Sequence, residues 1–425
     1  MRRAVSRWEI VGFSVNDVIG SGVYLLPAGA AAILGSQSIG AVAVAGFAVL
    51  LLVLCFAEAA THFDRPGSAY LYTREAFGEI VGFEVGWMTW LARVSSVASL
   101  SVGFARALGY LWPAANLGTG KILAIVLPLL GLTAINLVGV KSGVRTAVFL
   151  AITKTLPLLI FIVVGVFFVS NSLVASVAPK PGTGSLGDAV LLLLFAYAGF
   201  ENTAAPAGEF KNPRRDVPFA LVVQIVLVTL IYTGAQWVAL GTLPGVVNSA
   251  TPLADSAQRF LGGWGGLLMT VGGVVSILGT NSNTVLSGPR YLYALAQDGF
   301  GPRALATLHP RYRTPAAAIL VQTAIALPLA LSGSFEKLAM LSAVARLATY
   351  FGTALSVPFL RKKLGTPPGA FRLPGGPVIP IAAVLLCVAF AASATMANLI
   401  AGAIALAVGG LIYRLRRPVS QRTAP

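Results

Sequence analysis

The sequence predicts an all-α integral membrane protein: twelve transmembrane helices in a five-plus-five inverted repeat, with helices 1 and 6 discontinuous. Three observations carry that expectation. Of the 425 residues, 56% are hydrophobic and only 10% charged, and mean hydropathy is +0.83, whereas a water-soluble chain needs roughly 25% charged residues to cover its surface. The apolar residues gather into runs of membrane-spanning length. Two of these runs are interrupted at corresponding places, by Gly20-Ser21-Gly22 in the first and by Gly199 to Asn202 in the sixth.

Apolar runs of about 17 to 25 residues place the helices near residues 9–34, 39–60, 80–112, 121–140, 146–170, 187–207, 217–241, 264–289, 315–332, 338–360, 378–396 and 398–413. The opening MRRAVSRWEIVGF leads into an uncleaved first helix, because Asp17 and the glycine break interrupt what a signal peptide would keep apolar. Residues 9–170 form the first repeat, 187–360 the second, and 378–413 two additional helices. One membrane domain fills residues 1–425, with short loops and no low-complexity linker.

The net charge of +16 raises the alternative of a nucleic-acid partner, and position decides against it. Most of the 30 basic residues fall in segments on one side, including Arg2, Arg3, Arg7, Arg65, Arg74, Lys141, Arg145, Lys211, Arg214, Arg361 and Arg416. The other side holds only Lys121, Lys180, Arg259 and Lys337. That asymmetry is the positive-inside rule, and it puts both termini in the cytoplasm. Arg93, Arg106, Lys154 and Arg346 remain inside spans, where a cation needs a partner or a cavity. Cys55 and Cys387 lie in apolar runs and read as core residues; His62 and His309 read as solvated loop residues. No metal site, cofactor or obligate protein partner is called for.

Glycine and serine inside a span leave amides and carbonyls without helical partners, which hydrocarbon does not tolerate. The two interruptions are five spans apart, an odd number, so their helices cross the membrane in opposite senses, as an inverted repeat requires. Pro27 follows the first break and Pro206 the second. Paired breaks point to a midplane site in a secondary transporter. The free amides of one half-helix and the free carbonyls of another suit a zwitterion, whose carboxylate and ammonium need no buried ionic side chain. The alternative is that Gly20, Gly22 and Gly199 merely let helices approach closely.

Three stretches carry a family resemblance: IGSGVYLLP (19–27), FAYAGFENTAAPAGEFKNPRRDVPFAL (195–221) and SGPRYLYALAQDGFGPRALATLHPRYRTPAAAI (287–319). In order and spacing they resemble the first, sixth and eighth helices, with following loops, of the amino acid–polyamine–organocation superfamily permeases. The resemblance implies alternating access for amino acids or related amines in a bacterial cytoplasmic membrane. Carried over by position, Ser21, Gly22 and Val23 would meet the substrate carboxylate, and carbonyls near Val18, Phe195 and Ala198 its amino group. Gly20, Ala196, Tyr197, Gly199, Asn281 and Thr284 complete the expected substrate site. Phe195 stands where arginine-exchanging relatives have a Trp that closes over substrate. Asn281, Asn283 and Thr284 depart from the Gly and Trp of those relatives, which argues against an arginine-type substrate.

Lys154 lies roughly 12 Å into the membrane at 1.5 Å per residue, near the limit of snorkelling. It matches a fifth-helix lysine that, in proton-coupled relatives, takes the place of a sodium ion, and a buried ammonium can take and release a proton during a cycle. Proton coupling is therefore expected over sodium coupling, with Glu201 and Asp17 as proton carriers or as ion partners of a nearby cation. Trp87, Trp90, Tyr110 and Trp112 read as interface or packing residues. An enzyme would need a cluster of nucleophile, base or metal ligands that the loops lack. A channel remains the different-class alternative. Small and apolar site positions favour a neutral amino acid, and a cavity-facing Glu201 would instead favour a polyamine or cationic amino acid.

Overall fold

A computed structural model describes residues 5–63, 68–138, 144–204, 210–312, 314–365 and 370–415, with the backbone alone at 144–148 and 150. Of the residues singled out in the sequence, Arg2, Arg3, Arg65, Lys141, Pro206 and Arg416 lie outside the described residues, and so does the side chain of Arg145.

Among the described residues there is no strand, only an isolated bridge between Val5 and Phe210. The helices run α1 (Arg7–Val18), α2 (Ser21–Leu34), α3 (Ser38–Thr61), α4 (Ser68–Phe77), α5 (Glu79–Leu108), α6 (Gly118–Val138), α7 (Val144–Gly165), α8 (Asn171–Ser176), α9 (Leu186–Ala196), α10 (Pro213–Thr242), α11 (Pro252–Leu261), α12 (Gly263–Gln297), α13 (Ala316–Ser332), α14 (Phe335–Leu364), α15 (Val378–Ala392) and α16 (Met396–Arg414). Each apolar run read from the sequence holds a helix among the described residues, but the first is broken between Val18 and Ser21 and the helix of the sixth stops at Ala196, well short of the expected limit of 207. The short helices α4, α8 and α11 are additions to that reading. Their sequences are polar or brief, and no apolar run of spanning length marks them.

Local chemistry sets several helix starts. Ser6 and Glu9 form a reciprocal capping box on α1, as do Ser185 and Asp188 on α9. The Ser334 and Thr395 side chains accept from the amides of Lys337 and Asn398 at the starts of α14 and α16. Among the described residues seven helical stretches are long and apolar enough to cross a membrane, and α13 and α15 are shorter apolar helices. The first and sixth expected spans are cut into pieces, so α1 and α9 are too short to qualify alone. The described helix α5 carries Glu79, Glu84, Arg93 and Arg106.

Packing separates a polar centre from an apolar exterior. Helix α10 lies against α3 and α1, α5 against α12 and α14, and α2 against α9. Exposed apolar side chains such as Leu127, Ile152, Val163, Ile404 and Leu411 cover α6, α7 and α16, a surface suited to lipid. The charged and hydroxyl side chains Asp17, Arg93, Lys154, Glu201, Thr280's neighbour Ser276 and Arg346 are buried instead. They converge on the two broken helices.

Candidate functional site

The last carbonyls of α1 have no following helical turn to accept from, and α7 supplies the partner. The Lys154 ammonium donates to the carbonyls of Asn16 at 2.6 Å and Ile19 at 2.5 Å, and to Thr280 Oγ1 at 3.2 Å. Ser276 and Thr280 each donate to Ile19 O at 3.2 Å as well. Tyr24 of α2 donates to the Lys154 carbonyl at 2.9 Å, which ties α7 across the break. Lys154 is only 1% exposed. It turns inward rather than snorkelling, because three neutral oxygens solvate its charge.

The second break lies directly on the first. Helix α9 ends at Ala196, and Gly199 takes φ +132 before a short 3-10 turn, Phe200–Asn202. That backbone conformation suits glycine. A Cβ on Gly199 would stand 2.6 Å from the Asp17 carbonyl oxygen, and one on Gly22 would stand 2.8 Å from Ala196 Cα. Both glycines therefore serve close backbone approach, the alternative weighed in the sequence, while also marking the breaks. Tyr232 of α10 bridges the halves, its hydroxyl 3.1 Å from both Val18 O and Ala196 O. The Phe195 carbonyl accepts from the Ala198 amide at 3.1 Å. Val18 O thus has one lone pair engaged and a second for a ligand, whereas Phe195 O accepts from the amides of both Tyr197 and Ala198.

Beside the breaks sits a buried charge cluster. Glu201 Oε1 pairs with Arg346 and lies 3.4 Å from Arg93 Nη2, while Oε2 accepts from the Gly199 amide at 2.9 Å and from Tyr350 at 3.3 Å. Arg346 also donates to Ser96 at 2.9 Å and Ser342 at 3.3 Å. Buried ions persist only with such saturation, since desolvation otherwise outweighs their attraction. Of the roles left open for the two acids, Glu201 is the partner of Arg93 and Arg346. Asp17 forms no ion pair among the described residues and accepts from Asn283 at 3.3 Å. Arg106 belongs elsewhere: it pairs with Glu336 and donates to Ala250 O at 2.9 Å. Trp87 and Trp90 pack together at 5.1 Å, and Trp87 donates to Ala405 O at 2.8 Å.

A cavity of about 30 Å³ opens where these groups meet. Asp17, Val18, Gly20, Ser21, Gly22, Phe195, Ala196, Ala198, Gly199 and Thr284 line it, all expected from the sequence. Other expected residues stand off it. Val23 faces a second cavity of about 20 Å³ towards α3 and α10. Tyr197 donates to Val42 O at 2.9 Å, and Asn281 to Ser101 at 3.1 Å. Lys154 and Glu201 hold the wall from behind.

Sequence reasoning missed Ser96, Leu100 and Thr280 in the wall and Tyr232 and Ser276 around it. Ser276, Thr280 and Thr284 recur every fourth residue of α12, a polar stripe whose helical spacing was the available signal. No such signal marks Tyr232. Two donors at the cavity have no hydrogen-bond partner among the described residues: Ser21 Oγ and Arg93 Nε, both buried.

Paired breaks around a small polar cavity, inside an apolar helical protein, fit a carrier of small solutes. The sequence profile of the amino acid permease family matches residues 5–422. Similar proteins include a branched-chain amino acid permease of Bacillus subtilis, 26% identical over 98% of this chain and 93% of that protein. A serine/threonine exchanger of the same organism is 31% identical over 87% of this chain and 86% of its own length. The mouse cationic amino acid transporter 4 is 28% identical over 87% of this chain and 61% of its own length. These relatives are permeases, exchangers and transporters, not enzymes, and by its sequence this chain belongs with them to the amino acid permease family of the amino acid–polyamine–organocation superfamily.

Proposed function

We propose that the protein is a secondary active transporter that carries amino acids across a bacterial cytoplasmic membrane by alternating access, coupled to protons and independent of sodium. In this reading twelve spans form the inverted repeat with cytoplasmic termini, and the two breaks mark its pseudo-symmetric centre. The carrying observation is the pairing of a lysine-capped carbonyl end with an uncapped amide end: Lys154 binds the end of α1, while at the start of α2 the buried Ser21 hydroxyl has no partner among the described residues. A substrate carboxylate there would accept from Ser21 and the first amides of α2, and the Asp17 carboxylate in the same wall suits an ammonium.

Lys154 supports proton coupling because its ligands are neutral. An ammonium held by two carbonyls and a hydroxyl can release its proton without stranding a paired carboxylate. Its position against the carbonyl end of α1 also lets that proton bias the geometry of the break. Cationic amino acids and polyamines lose support, since Glu201 is engaged by two arginines behind the wall and those arginines themselves line the cavity.

Uptake of the twenty amino acids and common polyamines into proteoliposomes, with and without a pH gradient, tests the reading. Saturable uptake, counterflow of trapped substrate and stimulation by an inward proton gradient are expected. Sodium-dependent, pH-independent uptake rejects the coupling, and flux without saturation or counterflow indicates a channel. Kinship with a serine/threonine exchanger favours obligatory exchange as the second reading, in which uptake requires internal substrate even with the gradient imposed.

A further inference from the structure

We infer that the cavity selects an amino acid whose side chain is itself a carboxylate. The inference rests on the transport reading and assigns the substrate class of the same site. The wall and the groups bonded directly to it hold three buried cations, Lys154, Arg93 and Arg346, against two buried acids, Asp17 and Glu201. With Lys154 in the ammonium form that its three donated hydrogen bonds require, one positive charge is left over. A neutral amino acid would leave that charge unmatched in a desolvated centre, and a cationic one would add to it. A substrate with one ammonium and two carboxylates carries the single negative charge that closes the balance.

Hydrogen bonding points the same way. Arginine has donors and no acceptor, and Arg93 Nε is buried with no partner among the described residues, although its Nη2 reaches Glu201. Ser21 Oγ, also unpartnered, lines the same cavity. Two carboxylates meet both demands: the α-carboxylate at Ser21 and the start of α2, the side-chain carboxylate on the Arg93 guanidinium edge. Glu201 then acts as a positioning residue. Through Arg346, the Gly199 amide and Tyr350 it fixes the guanidiniums between α5, α9 and α14 without presenting its own charge to the cavity.

The test pairs each acid with its amide, equal in shape and lacking the charge. Aspartate, asparagine, glutamate, glutamine, serine and leucine are compared by counterflow and by thermal stabilisation of the purified native protein. At least one acid is expected to bind about tenfold or more tighter than its amide, a discrimination typical of a buried charge-assisted pair. In Arg93→Gln that ratio should fall to about threefold or less. If the variant does not fold, the acid-to-amide ratio of the native protein decides alone. Transport of serine or leucine with no preference for either acid overturns this inference and leaves the transport reading standing. A preference for acids that survives unchanged in folded Arg93→Gln overturns the assignment to Arg93. No counterflow of any amino acid overturns both.

Discussion

Gly199 lies against the main-chain carbonyl of Asp17, so closely that a Cβ at position 199 would stand 2.6 Å from the oxygen. The two broken helices are therefore one joint. Gly199→Ala would meet both this contact and a φ of +132 that an alanine rarely adopts, and it should destabilise the protein by about 2 kcal/mol or more. Thermal unfolding in detergent measures the effect; an unchanged melting temperature would show that the joint can spread at no cost.

At Gly22 the contact is with Ala196, 2.8 Å from Cα and from Cβ. Gly22→Ala should therefore lower thermal stability and transport together, because α2 must move off α9. A loss of substrate binding with full stability would instead mean that the position meets only the ligand.

Lys154→Ala removes the ammonium from the carbonyls of Asn16 and Ile19. Uphill accumulation driven by a pH gradient should vanish while counterflow persists at a reduced rate, and stability should fall by about 1–3 kcal/mol as the carbonyls lose their donor. Gradient-driven accumulation by this variant at the native level would place coupling on another group.

Tyr232→Phe deletes the hydroxyl between Val18 O and Ala196 O. The ring still fills its site, so the expected cost is about 1 kcal/mol. Denaturation of the variant alongside the native protein reads it out, and a cost near zero would mean that water replaces the hydroxyl.

His62 follows α3 and is half-buried, not the solvated loop residue its sequence context suggested, and its Nδ1 has no partner among the described residues. Burial holds its pKa below the ordinary 6.5, with the Arg361 and Arg214 cations adding to the effect and Glu58 opposing it. The folded state thus binds fewer protons than the unfolded one, so this contribution is complete above pH 6.5 and declines as pH falls below it. His62→Gln should shrink the loss of melting temperature between about pH 7.5 and about pH 5.5; an identical loss in both proteins would clear His62 of any part in it.

Helix positions were legible because apolar length dominates in lipid, and the breaks because Gly20, Ser21 and Gly199 violate that pattern within a span. The inward-facing Lys154 was legible as an anomaly of depth. Partnerships were not. Nothing in the spacing of Arg93 on α5, Glu201 in the turn after α9 and Arg346 on α14, which lie far apart in sequence, says that they meet. Tyr232 was invisible for a related reason: a lone tyrosine on an apolar helix looks the same whether its hydroxyl finds lipid headgroups or a broken helix end. Within α12, by contrast, Ser276, Thr280 and Thr284 announce a polar face through local periodicity alone.

A hydroxyl has a single hydrogen, and that of Tyr232 has two acceptors at the same 3.1 Å. It donates fully to Val18 or to Ala196, never to both at once. A slide of a few tenths of an ångström between the two halves transfers the bond from one carbonyl to the other, with one bond made before and one after. As far as this hydroxyl is concerned, the seam between the broken helices has no preferred position along that direction: the bond acts as a sliding contact lubricated by one shared proton rather than a fixed weld.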